Sequence, residues 1–237
     1  MEFESRIEKK HAHFFKIDWV WAALLFLFIF TQDGFCQEDD FDTKMWLEQE
    51  LSHSFNDKLS YKLIFNERFY DDITTWEEFY VDTGISYKPF SWLVLNPMYR
   101  HKRADFNTSK EAVENRYHIN VELIAKLKHL TLESRSRYEY RTFEDSETKH
   151  RFLERIRVSV PLPWKINDKN VEAFFSDELN YDLDTDASTH HEMMLGTKLP
   201  FSKKFTMKVY YGHELKYNNE SWGYNTHILG ISTVHNF

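Results

Sequence analysis

The sequence predicts an all-β chain folded as a closed antiparallel transmembrane β-barrel of about 10 to 12 strands, preceded by a cleaved signal peptide. Three observations carry this expectation. The sequence ends on an alternating stretch in which Leu229, Ile231, Thr233 and Phe237 share one parity, with an aromatic as the last residue. It begins with an export pattern. Between the two, 17% of the 237 residues are aromatic and 29% charged, at a mean hydropathy of −0.61. Apolar membrane helices could not have that composition. A barrel can, because alternate residues of each strand face lipid and lumen and aromatic girdles mark both interfaces.

The export pattern comes first in the chain. Arg6, Lys9, Lys10 and Lys16 precede an apolar run from Ile17 to Phe30, interrupted near its start by Asp18, which is the order of a secretory signal. The run falls short of the roughly 20 residues a spanning helix needs. Gly34 and Cys36 stand where a signal peptidase takes small residues, so cleavage is expected before Gln37, making residues 1–36 a signal peptide. A lipoprotein cut before Cys36 competes, opposed by the bulky Phe35 where that peptidase prefers Gly or Ala. Cleavage before Gln37 removes the only cysteine. No disulfide framework is then available to an exported chain, and a closed hydrogen-bonded sheet must do that work. Residues 37–44 read as an acidic N-terminal segment and 45–237 as the barrel, which places the protein in a bacterial outer membrane.

From Met45 onward the chain divides into segments of roughly 10 to 13 residues, the length of a tilted membrane strand, separated by Asn, Asp, Pro and Lys clusters. The strand cores are Trp46 to Ser54, Leu59 to Tyr70, Glu77 to Lys88, Trp92 to Lys102, Glu114 to Lys126, Leu130 to Arg141, Arg151 to Val160, Asn170 to Tyr181, His190 to Leu199, Phe205 to Tyr217 and Trp222 to Phe237. Their connections alternate between short ones (Phe55 to Lys58, Pro89 to Ser91, Leu127 to His129, Pro161 to Lys169, Pro200 to Lys204) and longer, more acidic ones (Asp71 to Trp76, Arg103 to Val113, Thr142 to His150, Asp182 to Thr189, Asn218 to Ser221). Short periplasmic turns and longer outer loops are expected of such barrels, which puts Phe237 at the periplasmic edge. Bacterial single-chain barrels normally have an even strand number, so either Glu38 to Lys44 adds a short strand or one region is split wrongly. Gly84, Gly196, Gly212 and Gly230 fall inside strands, where closure requires bends, and Pro97 predicts a bulge in the fourth strand.

Which face is which follows from magnitude. Glu133, Arg135, Arg137, Glu139 and Arg141 share one parity of their strand; Leu132, Ser134, Ser136, Tyr138 and Tyr140 share the other. An arginine pointing into lipid at mid-membrane costs roughly 2–4 kcal/mol, and three would consume most of a domain's net stability. The charged parity must point inward. By the same logic Arg155 and Arg157 are inside with Ile156, Val158 and Val160 outside, and Glu122 is inside with Tyr117, Ile119, Val121 and Leu123 outside. Neighbouring strands then present Glu122, Glu133, Glu139, Glu172 and Glu178 beside Arg135, Arg137, Arg155 and Arg157, and cross-strand ion pairs are expected. In a barrel this small side chains usually fill the lumen, so a structural polar plug is expected ahead of a narrow conducting or ligand-binding lumen.

Other chemistry is thinner. Asp182, Asp184 and Asp186 resemble the start of a calcium loop, but Ala187 and Met193 stand where that loop needs Gly and Glu; an acidic outer loop describes them better. His190 and His191 are adjacent on a strand and face opposite ways, so they cannot share a metal. Serine, histidine and acid are all abundant, yet no nucleophile elbow is present, and an outer-membrane hydrolase ranks behind a structural barrel and a solute channel. We expect no enzyme activity and no cofactor. The formal charge of −8 and pI near 5.8 exclude nucleic acid, which needs clustered excess Lys and Arg. The expected partners are outer-membrane lipid and, through the last strand, the barrel-assembly machinery. A soluble periplasmic barrel would invert the faces, and Trp92, Trp164, Phe201, Phe205 and Trp222 beside the short turns argue against it.

A family resemblance covers Trp46 to Phe237. The residues that carry it are Trp46-Leu-Glu-Gln-Glu-Leu, Leu59-Ser-Tyr-Lys with Asn66-Glu-Arg-Phe, Asp82-Thr-Gly-Ile-Ser-Tyr-Lys, Tyr99-Arg-His-Lys-Arg, Glu114-Asn-Arg-Tyr-His, Arg135-Ser-Arg-Tyr-Glu-Tyr-Arg, Phe152-Leu-Glu-Arg-Ile-Arg, Glu178-Leu-Asn-Tyr, Gly212-His-Glu-Leu-Lys-Tyr and His227-Ile-Leu-Gly-Ile. In this order they resemble the bacterial outer-membrane family called domain of unknown function 2490. The resemblance implies an outer-membrane barrel and brings no assigned activity or catalytic residue.

Overall fold

Eleven segments of alternating polarity form eleven strands. The structure, a computed structural model, describes residues 42–105, 111–144, 146–218 and 221–237; the expected signal peptide and the side chain of Trp222 lie outside them. The strands are β1 (Asp42–Ser54), β2 (Leu59–Tyr70), β3 (Thr75–Phe90), β4 (Leu93–Asp105), β5 (Glu111–Lys126), β6 (Thr131–Phe143), β7 (Lys149–Ile166), β8 (Lys169–Asp182), β9 (Ala187–Leu199), β10 (Phe205–Asn218) and β11 (Ser221–Asn236). They close into one barrel, each strand hydrogen-bonded to its sequence neighbours and β1 to β11. No helix among the described residues is long and apolar enough to cross a membrane.

Two expectations need correction. The barrel is antiparallel at every seam but one: β1 and β11 pair parallel, from Asp42 opposite Thr226 to Ser52 opposite Asn236. An odd number of up-and-down strands leaves the first and last running the same way, so a parallel seam is the only way to leave no open edge. The expected rhythm of short and long connections is also absent. Strands run further than their apolar cores, so that β1 begins at Asp42 inside the segment read as acidic leader, and every connection is two to five residues.

The two rims differ in chemistry instead. One carries Asp71, Asp72, Glu144, Glu147, Asp184 and Asp186 and is called the acidic rim below. The other carries Lys58, Lys128, Lys203 and Lys204 with exposed Phe55, Phe90, Trp92, Trp164 and Phe237, the basic rim. Phe237 sits on the basic rim, its amide donating to the Ser52 carbonyl at 2.9 Å.

The strands are steeply staggered. Hydrogen-bonded partners followed from Leu59, at the basic-rim end of β2, pass through Tyr87, Leu95, Val121, Ser136, Glu154, Leu179, His191 and Leu215 and arrive at Asn225, near the acidic-rim end of β11. That stagger is the tilt that closes a barrel.

Proline and glycine act elsewhere than expected. Pro97 faces Ile119 in an unbroken β4–β5 register, and the shift in the β3–β4 ladder falls between Tyr87 and Phe90, beside Pro89. Pro161 and Pro163 do not end β7: residues 162–164 bulge opposite Val171 alone before pairing resumes at Lys165 and Asn170. Leu162 packs there on Val171 and Ala173. The β7–β8 turn is then only Asn167 and Asp168, both at positive φ (47° and 62°), as a two-residue hairpin of this hand requires. Gly196 and Gly230 stand on either side of Tyr210 in the register. A Cβ at Gly230 would fall 2.0 Å from the Tyr210 ring, and one at Gly196 would fall 2.6 Å from Tyr210 Cβ and from the Val209 carbonyl oxygen. These glycines make the space for one inward tyrosine.

Candidate functional site

The barrel is polar within and largely apolar without. A cavity of about 630 Å³ is lined by residues of all eleven strands, most of them charged or amide-bearing. The outer wall exposes Tyr117 (55%), Ile119 (42%), Leu123 (47%) and Ile156 (52%), where alternation predicted apolar residues. With the charges enclosed, each must find partners or incur a desolvation cost of several kcal/mol, so the pairing pattern is the informative quantity.

Toward the acidic rim the pairing is dense. Glu139 on β6 is fully buried. Its carboxylate accepts from Arg116 Nη1 at 3.0 Å, Arg137 Nη1 at 3.4 Å and Arg151 Nε at 2.9 Å. Arg116 also donates Nε to Glu114 at 2.9 Å, and Arg141 grips both oxygens of Glu114 at 2.7 and 2.9 Å. Two-pronged arginine contacts recur at Asp82, which takes Nε and Nη2 of Arg100 at 2.5 and 2.7 Å; such forks are the strong form of the charged hydrogen bond. The Arg100 guanidinium lies 3.6 Å over the Tyr80 ring, and that of Arg68 lies 3.7 Å over Trp46, so aromatic faces take up the remaining side of each cation. Glu78 pairs with Lys102 and, at 3.3 Å, with Arg68. Lys44 bridges Glu77 and Glu214 at 2.7 and 3.2 Å.

Toward the basic rim the pairing thins. Arg135 reaches Glu178, Lys62 reaches Glu50 at 2.9 Å, and Arg157 approaches Glu133 only to 3.9 Å. Glu122 lies opposite Arg135 in the register but takes a hydrogen bond from Asn96 at 3.1 Å. Glu172 pairs with Lys198 at 3.1 Å, away from the arginines, where both are over a third exposed. Among the described residues, no carboxylate lies within 4.0 Å of Arg155 or Lys208.

Of the residues expected in the lumen, Glu122, Glu133, Arg135, Arg137, Arg155, Arg157 and Glu178 line the cavity. Glu139 is the buried centre of its network, and Glu172 stands apart near the basic rim. Sequence reasoning missed Glu114, Arg116, Asp82, Arg100, Glu78, Arg68, Lys44 and Glu214. For all but Lys44 the signal that could have found them was present: they keep the parity opposite the outward aromatics of their strands, as Arg116 does against Tyr117, whereas the one aromatic of β1, Trp46, is buried on the parity of Lys44.

The outer wall is not uniformly apolar. Glu154 on β7 points outward, accepting hydrogen bonds from Ser134 Oγ and Ser136 Oγ at 2.7 and 2.6 Å. On β8, the outward Asp177 accepts from His191 Nε2 at 2.8 Å. On β7, Arg155 and Arg157 take the inward positions, so alternation sends the intervening parity, Glu154 with Ile156 and Val158, outward. His190 faces the lumen, 3.8 Å from Glu214, so the two neighbouring histidines do point opposite ways. The Asp182, Asp184 and Asp186 carboxylates have separate employments: Asp182 accepts from the Asp184 and Thr185 amides, Asp184 from the His150 amide and Asp186 from the Tyr181 hydroxyl. No group of three metal-ligating side chains is assembled among the described residues.

Residues 43–225 match the model of a family described as "Protein of unknown function (DUF2490)". No curated protein matches the chain. Among solved structures, LpxR from Salmonella typhimurium superposes with a TM-score of 0.48 at 7% identity, covering 78% of this chain and 86% of that one.

Proposed function

We propose that this chain, which belongs to the DUF2490 family, is an outer-membrane barrel that closes its own lumen with paired charges and works through its rims and walls rather than by passive flow. One observation carries the reading: Glu139, fully buried, is shared by Arg116, Arg137 and Arg151, three cations drawn from three strands. A girdle of exposed aromatics at the basic rim, exposed tyrosines toward the acidic rim and the aliphatic belt between them support lipid as the surrounding solvent. In this reading residues 1–36 direct export and are removed before Gln37, outer-membrane lipid surrounds the belt, and the strand ending at Phe237 is the part offered to the assembly machinery.

A second reading, a narrow conduit for a small solute, is favoured by the cavity, whose lining extends from Lys44 and Lys216 near one rim to Lys62 and Glu133 near the other. Conductance across a planar bilayer separates the two. The refolded full chain is expected to give no discrete current steps at ±100 mV, on the order of a resting potential, in molar salt. Reproducible steps abolished by blocking the lumen would overturn the closed-lumen reading in favour of the conduit.

A further inference from the structure

On the β6–β7 wall of the lumen, Arg135 and Arg155 stand directly opposite one another in the register, and Arg157 follows on the same face of β7. Like charges directly opposed across a ladder are destabilising, and the carboxylates nearby do not remove the conflict. Glu178 is taken by Arg135, Glu133 reaches Arg157 only at 3.9 Å, and Arg155 has none within 4.0 Å among the described residues. The Nε atoms of all three arginines are buried without a hydrogen-bond acceptor. Lys208 on β10 faces the same lumen and, among the described residues, likewise has no carboxylate within 4.0 Å, although Glu48 and Glu50 line the cavity with it. All four line the one cavity. Directly opposite Arg157 on β8 the inward residue is Ser176, a small side chain that lines the cavity in front of the cations.

Carboxylates line the cavity here, Glu178 even standing opposite Arg155 in the register, yet among the described residues three buried guanidinium Nε atoms find no acceptor and Arg155 and Lys208 no direct partner, so the patch has donors to spare. We propose that it binds a small oxyanion, a solute bearing a phosphate or carboxylate group, through Arg155, Arg157 and Lys208, with Arg135 completing the wall. Guanidinium forks match the paired oxygens of either group, and the ammonium of Lys208 supplies a point charge from β10. The closed-lumen reading names no ligand. The inference goes beyond it and stands whether or not the barrel conducts.

The test uses the full chain refolded in zwitterionic detergent, titrated calorimetrically with inorganic phosphate and, separately, with citrate at constant ionic strength. Saturable binding of at least one is expected. It should weaken at least tenfold in Arg155→Gln and in Lys208→Gln, and stay unchanged in Arg103→Gln, which removes an exposed cation from outside the lumen. As a readout that needs no variant, the same anion should raise the denaturant midpoint of the wild-type chain more than chloride at equal ionic strength, by mass action. Absence of saturable heat and of any midpoint shift with both anions would overturn the proposal, as would binding that survives both lumen substitutions in barrels with native gel mobility. Current steps in the bilayer would count against the closed lumen alone.

Discussion

The two halves of the lumen use the same residue types to opposite ends. Toward the acidic rim most carboxylates are held by cations, Glu139 by three arginines, Glu114 by two and Asp82 by a two-pronged fork, with the inward Glu192 the exception. Toward the basic rim Arg155 and Lys208 have no carboxylate in reach and Arg157 has one at 3.9 Å. A buried ion network is stable only when complete, because removing one member leaves the others desolvated and unpaired. The complete half therefore behaves as a structural element, which constrains substitution. The incomplete half holds unspent interaction free energy, as a binding site does.

The strongest way to break that comparison is to neutralise one charge in each half. Glu139→Gln leaves Arg116, Arg137 and Arg151 facing an amide and should lower the unfolding free energy by about 3–5 kcal/mol, read from denaturant titration of the refolded barrel. Arg155→Gln relieves a like-charge contact without orphaning a carboxylate, so it should change stability by no more than about 0.5 kcal/mol, with a gain as welcome as no change. Equal losses at the two positions would show the halves to be energetically alike.

Much of this was legible in the sequence, for a reason visible at β6. Five charges on one parity of Glu133 to Arg141 admit only one orientation in lipid, and β6 follows it. The outward aromatics and aliphatics of β5 do the same for Glu122. Eleven strand cores were also readable, each inside the observed strand except that Trp92, Leu130 and Phe237 fall one residue outside. The parallel seam was not, since nothing local in Asp42 to Ser54 records that its neighbour is the last strand; only the odd count implies it. Strand ends were hidden because residues that read as turn formers, Pro161 and Pro163, sit in a bulge that lets pairing resume. The outward Glu154 was implied but not named: with Arg155 and Arg157 inside, it shares the parity of Ile156, Val158 and Val160. Within the lumen, the residues were partly foreseen but their partners were not, because Arg135 reaches past β7 to Glu178 on β8.

A second prediction probes the space in front of the incomplete half. Gly196→Ala would set a methyl against the Val209 carbonyl and Tyr210 Cβ, neither of which can move without the strand, whereas Gly230→Ala meets the far end of the Tyr210 ring. Overpacking of this kind costs about 1–3 kcal/mol. Tyr210→Ala should rescue Gly230→Ala, by giving the new methyl the vacated ring space, and should leave most of the Gly196→Ala cost in place. A double-mutant cycle in denaturant measures both couplings. Equal rescue at the two glycines would mean that Tyr210 does not shape this side of the lumen.

The smallest expected effect lies on the outer face behind the same arginines. Glu154 sits in the middle of the wall, with Phe152 on its acidic-rim side and Ile156 on the other along β7, and Asp177 is outward on the next strand. If lipid covers this sector, a carboxylate there is unfavourable, by less than the roughly 2–4 kcal/mol of a lysine or arginine at the midplane. The two serine hydroxyls that hydrogen-bond it recover part of that cost. Glu154→Leu should then stabilise the barrel in phospholipid vesicles by about 1 kcal/mol, the desolvation relief slightly exceeding what Ser134 and Ser136 lose with their acceptor. A loss of stability on the same substitution would reverse the inference about what lies outside. The sector would have to meet a polar surface rather than acyl chains, and the thin pairing of Arg155 within would then back onto an interface as well as a cavity.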